Sequence, residues 1–184
     1  LLKVYRKMHP KDSLHLKPTA ECYQYAIQAW ANSNKEQVMV VRNRSERWLN
    51  ELLEQSGDEL LLSITLPGKH PAPMNPNKPI IAPTIECFDA FLDGLTRGRH
   101  GKNKRDREIL LDNAKLAESI LRRLHSIYCH RSNSGDETPG PLIRPSTDTF
   151  NHVIRGWTRC KHERNVHKKV LAILRLMEGY QREN

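Results

Sequence analysis

The sequence contains three copies of one segment that align without gaps, and this internal repeat constrains the fold more than any other feature. The matched segments begin at Pro18, Pro83 and Pro145. In each, an aromatic residue is followed by apolar residues three, four and seven positions later, which lie on one face of a helix. These apolar columns are Tyr23, Phe88 and Phe150; Ala26, Phe91 and Val153; Ile27, Leu92 and Ile154; and Trp30, Leu95 and Trp157. Each segment therefore predicts an amphipathic helix.

Two further columns describe how these first helices begin and pack. Six residues after the aromatic stands a small residue, Ala29, Gly94 or Gly156. A small side chain there allows a neighbouring helix to approach closely. Pro followed by Thr or Ser precedes each helix, which is a start signal.

A second helix follows each first helix. Its matched octets, Ser45–Leu52, Ala117–Leu124 and Val170–Met177, share three apolar columns: Trp48, Ile120 and Ile173; Leu49, Leu121 and Leu174; and Leu52, Leu124 and Met177. Each unit is thus a helical hairpin whose apolar faces are buried only by stacking on its neighbours. We expect an all-α fold, an α-solenoid of about three helical hairpins with long inter-repeat loops.

The repeats divide the chain into predicted segments. These are residues 1–9 as the second helix of a truncated preceding repeat, 18–56 as repeat 1, 57–82 as a Pro-rich loop, 83–129 as repeat 2, 130–144 as a loop and 145–184 as repeat 3. Residues 65–83 hold six prolines, which favours an extended connection. Residues 98–103 should form a loop inside the second hairpin. The chain opens without Met, so we interpret it as a fragment or a processed chain.

The charge favours a polyanionic partner. The formal net charge is +9, which suits nucleic acid or an anionic membrane surface. No apolar run approaches the ~20 residues that span a bilayer, so we expect no membrane segment. Possible phosphate contacts stand in one basic stretch, at Arg97, Arg99, Lys102, Lys104 and Arg105. A solvated insertion loop is the preferred alternative there, and a solvated face is preferred for the second-helix cations Arg122, Arg123, Lys168 and Lys169.

No catalytic or metal site is recognisable in the sequence. Cys160, His162 and His167 form the closest metal-like cluster, but no second pair stands at zinc spacing. Cys22 and Cys87 share a repeat column with Thr149, which indicates packing residues. The positions of Trp30 and Trp157 at helical spacing favour the core over base stacking. We therefore expect no enzyme activity, no cofactor and no small-molecule substrate.

The matched columns resemble pentatricopeptide repeats. The best single match is the segment from Arg144 to Trp157, Arg-Pro-Ser-Thr-Asp-Thr-Phe-Asn-His-Val-Ile-Arg-Gly-Trp. Repeats of that family have about 35 residues, close to the period of related helical arrays. The spacing here is nearly double, which we attribute to insertions resembling those of algal members.

The resemblance implies that each hairpin reads one RNA base with two or three side chains. One specificity column directly follows the first-helix aromatic and holds Gln24, Asp89 and Asn151; the other follows the Pro of the next unit and holds Thr19, Thr84 and Ser146. Asn151 is a typical choice and would favour a pyrimidine. Short polar side chains also suit the Watson–Crick edges of unstacked bases, although they can equally cap or solvate a helix.

The predicted function is single-stranded RNA binding without catalysis, in organellar RNA processing, stability or translation. The location, mitochondrion or plastid, is implied by the resemblance alone. One alternative is a protein-interaction scaffold of the tetratricopeptide type, because an acidic peptide would also satisfy the charge. A second alternative is the RNA-docking repeat region of a protein-only RNase P.

Overall fold

The regular structure of the described chain is entirely helical. A computed structural model describes residues 18–33, 38–70, 81–97, 104–133 and 140–182, and these contain seven α-helices and no strand. In chain order the helices are α1 (Ala20–Ala31), α2 (Val38–Ser56), α3 (Glu59–Thr65), α4 (Ile85–Thr96), α5 (Lys104–Asn133), α6 (Thr147–Arg159) and α7 (Val166–Arg182). The predicted all-α class is confirmed. In these residues no helix is long and apolar enough to cross a membrane.

The predicted first and second helices pair as hairpins. Helix α1 packs on α2 (hairpin 1), α4 on α5 (hairpin 2) and α6 on α7 (hairpin 3). Successive first helices also touch, α1 with α4 and α4 with α6, and each of the first two second helices contacts the first helix that follows it. The same pattern of contacts therefore links hairpin 1 to hairpin 2 and hairpin 2 to hairpin 3.

The aromatic column forms the core of all three hairpins. Tyr23, Phe88 and Phe150 are at most 3% exposed. Trp157 is also buried, as its helical spacing predicts, whereas Trp30 is half-buried beneath the guanidinium of Arg44, 5.6 Å from the ring centroid. The columns read from the sequence thus identify the buried face of each first helix.

The first hairpin differs from the other two on one face. Cys22 and Ala29 are exposed, while their column equivalents are buried, namely Cys87 and Gly94 in hairpin 2 and Thr149 and Gly156 in hairpin 3. The interpretation of Cys22 as a packing residue is therefore wrong, although it holds for Cys87. The reason is positional: this face of a first helix is covered by the preceding hairpin, and within the described residues no helix precedes α1.

The small-residue column is where successive first helices come closest. A Cβ added to Gly94 would lie 3.1 Å from the Cβ of Ala31, and one added to Gly156 would lie 2.9 Å from Cγ2 of Thr96. Ala31 and Thr96 occupy the same column, eight residues after the aromatic. Each contact therefore places the small residue of one hairpin on the end of the previous first helix.

A short helix interrupts the predicted Pro-rich loop. Residues 57–82 were expected to be loop, but Glu59–Thr65 form α3 and bury Leu61, Leu62 and Ile64. Gly57, with φ of 68°, ends α2, and the Asp58 carboxylate then accepts a hydrogen bond from the Leu61 amide at 3.1 Å. The Asp58 cap and the apolar run that follows it stabilise a helix here, and the prolines begin only after that helix has ended.

A buried ion pair fastens this insertion to hairpin 2. The Nη2 atom of Arg131 lies 2.5 Å from Oδ2 of Asp58, and both side chains are 4% exposed. Nη1 of Arg131 donates to the carbonyl of Pro141 at 2.7 Å. Arg131 stands in the last turn of α5, which extends to Asn133 and so enters the predicted 130–144 loop. The ion pair therefore joins α3, α5 and the approach to hairpin 3.

Several predicted segments lie outside the described residues. They are the truncated repeat at 1–9, the 98–103 loop and the parts of the two inter-repeat loops at 71–80 and 134–139. The described remainder of the loops, at 66–70 and 140–144, is non-helical, as expected.

The close approach at Gly156 gives a stability prediction. Gly156→Ala should lower the free energy of unfolding by about 1–2 kcal/mol, because overpacking against the buried, β-branched Thr96 outweighs the gain in helix propensity. Gly179→Ala is the matched control: it is also helical, and an added Cβ there meets nothing within 4 Å. It should raise stability by up to ~1 kcal/mol. Chemical denaturation measures both, and equal shifts would contradict the close packing.

Candidate nucleic-acid interface

The predicted start signals place one set of candidate residues at helix N-termini. Thr19, Thr84 and Ser146 are the N-cap residues of α1, α4 and α6, all with extended backbone. Ser146 forms a capping box with Thr149: the Thr149 amide donates to Oγ of Ser146 at 3.1 Å, and the Ser146 amide donates to Oγ1 of Thr149 at 2.9 Å. The hydroxyls of Thr19 and Thr84 instead face the thiols of Cys22 and Cys87. All three residues occupy the N-cap position, but only Ser146 caps its helix through its side chain.

Asp89 bridges hairpin 2 to this cap. Its Oδ1 accepts a hydrogen bond from the Thr149 hydroxyl at 2.6 Å, and its Oδ2 accepts one from the Ser146 hydroxyl at 3.0 Å. Asp89 and Ser146 belong to the two predicted specificity columns and come from successive hairpins. The fold therefore brings one residue of each column into direct contact.

The bridge limits what Asp89 can offer a ligand. Burial raises the pKa of the Asp89 carboxyl, while the hydrogen bonds from Thr149 and Ser146 act in the opposite direction. Each oxygen already accepts one hydrogen bond of the link between hairpins, which reduces the capacity left for a base. Asp89 acts first as a structural residue.

The other five residues of these two columns differ in their exposure to solvent. Asn151 is exposed near the start of α6, and Gln24 is half-buried at the equivalent place in α1. Thr19 and Thr84 are exposed, and Ser146 is half-buried. Asn151 is thus the most exposed member of its column, and no helix follows hairpin 3 in the described residues.

Gln24, Asp89 and Asn151 belong to a longer row of polar residues. Positions one, five and nine after each aromatic share a helix face, because four residues complete about one turn. We call these nine residues the polar stripe: Gln24, Gln28 and Asn32 from α1, where Asn32 immediately follows the last helical residue; Asp89, Asp93 and Arg97 from α4; and Asn151, Arg155 and Arg159 on α6. Arg97 immediately follows the last residue of its helix.

Asp93 is the electrostatic centre of the stripe. It is 8% exposed, and its Oδ2 lies 2.6 Å from Nη2 of Arg97. Its Oδ1 accepts a hydrogen bond from Arg155 of the next hairpin. Arg97 also donates to the side-chain oxygen of Asn32 in the previous hairpin. One carboxylate thus engages two arginines, and the resulting chain of contacts crosses all three first helices.

His152 completes this cluster in its neutral form. Nη2 of Arg155 lies 2.7 Å from Nδ1 of His152, and a guanidinium only donates, so Nδ1 must be an unprotonated acceptor. Burial, followed by the neighbouring Arg155, lowers the pKa of His152, with Asp93 and Asp89 opposing the shift. The imidazole therefore adds no positive charge to the stripe at neutral pH.

The predicted phosphate contacts separate into three groups. Arg97 is engaged by Asp93 and Asn32. Lys104 and Arg105 are exposed in the first turn of α5, where Lys104 lies 4.0 Å from Glu108. Arg99 and Lys102 lie outside the described residues. Within the described part of this basic stretch, only the start of α5 presents open cations.

Sequence reasoning missed the column that contains Asp93 and Arg155. Its signal was present: an acidic and a basic residue occupy the same repeat position in successive units. In a stacked array, equivalent positions of neighbouring repeats are adjacent, so opposite charges there predict an ion pair between hairpins. Among the residues described, no group of three or more His, Cys, Asp or Glu side chains is arranged to hold a metal.

The Asp89 bridge can be tested by stability. Asp89→Ala should lower the free energy of unfolding by about 1–3 kcal/mol, because the buried Thr149 hydroxyl loses its acceptor. Asp89→Asn keeps an acceptor oxygen without burying a charge, so it should cost less than half as much. Asp112→Ala, an exposed carboxylate on α5, is the control and should stay within ~0.5 kcal/mol of wild type. A loss as small as that of the control would refute the bridge.

The neutral state of His152 predicts a loss of stability in mild acid. The folded-state pKa of His152 lies below the unfolded value of about 6.5, so the unfolded chain binds the proton more readily. This contribution is complete well above pH 6.5 and is lost progressively as pH falls from 6.5 towards the lower folded-state pKa. Between pH 7.5 and 5.5, His152→Gln should lose less stability than wild type, whereas His167→Gln, at an exposed site, should follow wild type. Identical pH profiles for all three proteins would contradict the assignment.

Comparison with known proteins gives no match. No family model, curated protein or solved structure compared with this chain is similar to it. The resemblance to pentatricopeptide repeats therefore depends on the aligned columns alone, and the function must be argued from the chain's own residues.

Proposed function

We propose that this chain is part of an α-solenoid of pentatricopeptide type that binds single-stranded RNA along its first helices. The same contacts recur between hairpins 1 and 2 and between hairpins 2 and 3, which supports a stacked array. The faces exposed at Cys22 and Ala29 have buried equivalents in later hairpins, as stacking requires.

The observation that carries the proposal is the contact between the two specificity columns. Ser146 of hairpin 3 lies 3.0 Å from Asp89 of hairpin 2, so residues far apart in sequence converge at the junction between hairpins. A base held at such a junction would meet one side chain from each unit, which is how one-base-per-repeat recognition works.

Selectivity in this proposal centres on Asn151. Its amide offers both a donor and an acceptor, and its side chain is exposed. Asp89 contributes mainly by holding hairpin 3 in register, since both of its oxygens are engaged. Transcripts of a mitochondrion or plastid are the substrates that the family resemblance suggests.

Binding measurements test the class of partner. Fluorescence anisotropy with labelled single-stranded RNA, double-stranded DNA and heparin, each over a salt series, should show RNA binding that persists at salt where the other two are lost. Equal binding to all three, vanishing together at moderate salt, would overturn the proposal. Binding of an acidic peptide with no RNA affinity would favour the protein-interaction scaffold instead.

Base preference tests the role of Asn151. Asn151→Ala should reduce the preference for pyrimidine over purine oligomers by about tenfold, the scale of one specific base contact. Asn43→Ala removes an exposed Asn from α2 and should leave the preference unchanged. An unchanged preference in both variants would remove Asn151 from the site.

A further inference from the structure

A basic groove lies between α5 and α7, the second helices of hairpins 2 and 3. It has a volume of about 410 Å³ and is lined by Lys115, Glu118, Ser119, Arg122, Arg123 and Ser126 of α5 and Lys169 of α7. Hairpins 2 and 3 both contribute to it. Every lining side chain is charged or bears a hydroxyl, with four cations against one carboxylate.

A buried carboxylate orders the cations of this groove. Glu118 is 7% exposed, and its Oε1 lies 2.9 Å from Nε and 2.8 Å from Nη2 of Arg122. Its Oε2 lies 3.7 Å from Nζ of Lys169. Lys169 also lies above the Trp157 ring, 5.4 Å from its centroid. These contacts hold cations from two hairpins at fixed positions beside one another.

The ordered cations keep unused hydrogen-bonding capacity. Two of the five guanidinium N–H groups of Arg122 point to Glu118, and the side chain remains 51% exposed. Arg123 is anchored by donation to the carbonyl of Ser63 in α3. Lys115, Ser119 and Ser126 are exposed along the same stretch of α5. One of the four cations balances the charge of Glu118, and the other three leave an excess of positive charge in the groove that favours an anion.

We propose that this groove binds the phosphodiester backbone of an RNA strand without reading its bases. From residue 115 to residue 126 the helix rises about 16 Å, which is long enough for contacts with more than one phosphate of a strand. Phosphates accept hydrogen bonds from Arg, Lys and Ser, which are the donors present here. Four cations against one carboxylate favour a phosphate backbone as the ligand of this groove.

The groove adds phosphate binding to the proposed RNA-binding function. That the bound strand is RNA rests on that proposed function. In the polar stripe, Asp93 engages Arg97 and Arg155, so little free positive charge remains beside the base-reading columns. The groove supplies that charge on other helices. Base selection and phosphate attraction thus fall on separate surfaces.

NMR shift mapping tests the site directly. Two probes are titrated into the ¹⁵N-labelled chain: a uridine decamer, and a ribose-phosphate decamer without bases. Both should shift the backbone amides of Lys115, Ser119, Arg122 and Lys169. Absence of these shifts with the base-free probe would overturn the groove, even if the uridine decamer shifts Asn151 and the proposed function stands. Groove shifts without any base preference would sustain the groove and remove base-selective binding.

A matched pair of charge variants gives a second readout. Lys115→Gln/Lys169→Gln and Arg47→Gln/Arg164→Gln each remove two exposed cations, the second pair outside the groove. With the base-free decamer, the first variant should reduce the slope of log Kobs against log salt by about 1.4, since each lost phosphate contact removes ~0.7. The control should leave the slope nearly unchanged. Equal slopes would refute the site, and stronger groove shifts with a phosphorylated peptide than with either decamer would reassign it to a protein partner.

Discussion

The close approach of successive first helices is the constraint on which the rest of the structure depends. Gly94 packs on Ala31, and Gly156 packs on Thr96, with spacing that leaves no room for a Cβ at Gly156. This contact positions α6 so that the Ser146 cap lies within hydrogen-bond distance of Asp89. It also brings Arg155 to Asp93. A larger residue in the small column would separate the helices and break both polar links.

The buried Asp58–Arg131 pair shows how the 65 residues between Pro18 and Pro83, the starts of the first two matched segments, are accommodated. The inserted helix α3 packs on α2 and α5, so it extends the second-helix side and leaves the first helices in contact. Asp58 both caps α3 and meets Arg131, whose removal would leave a buried, unpaired carboxylate. Gly140, with φ of 141°, passes so close to this carboxylate that a Cβ there would overlap it. Helix α3 therefore packs into the core through its apolar side chains and this ion pair.

The distribution of charge matters more than its total. A net charge of +9 suggests a uniformly basic surface, but the polar stripe has three arginines beside two aspartates and a neutral histidine. Its cations hold neighbouring hairpins together. In the groove, the carboxylate of Glu118 contacts two cations, and two further cations line the groove beside them. The same types of side chain thus stabilise the fold on one surface and remain open to an anion on the other.

The sequence by itself determined the all-α class, the six hairpin helices and the starts of the first helices, because apolar periodicity and Pro-Thr or Pro-Ser signals act locally. It also determined the buried column of Tyr23, Phe88 and Phe150. Only the tertiary structure decided which polar residues remain open. Asp89 and Asn151 occupy the same column, yet Asp89 is engaged by the next hairpin while Asn151 is exposed. The Asp58–Arg131 pair likewise joins residues distant in sequence, which a periodic pattern does not encode.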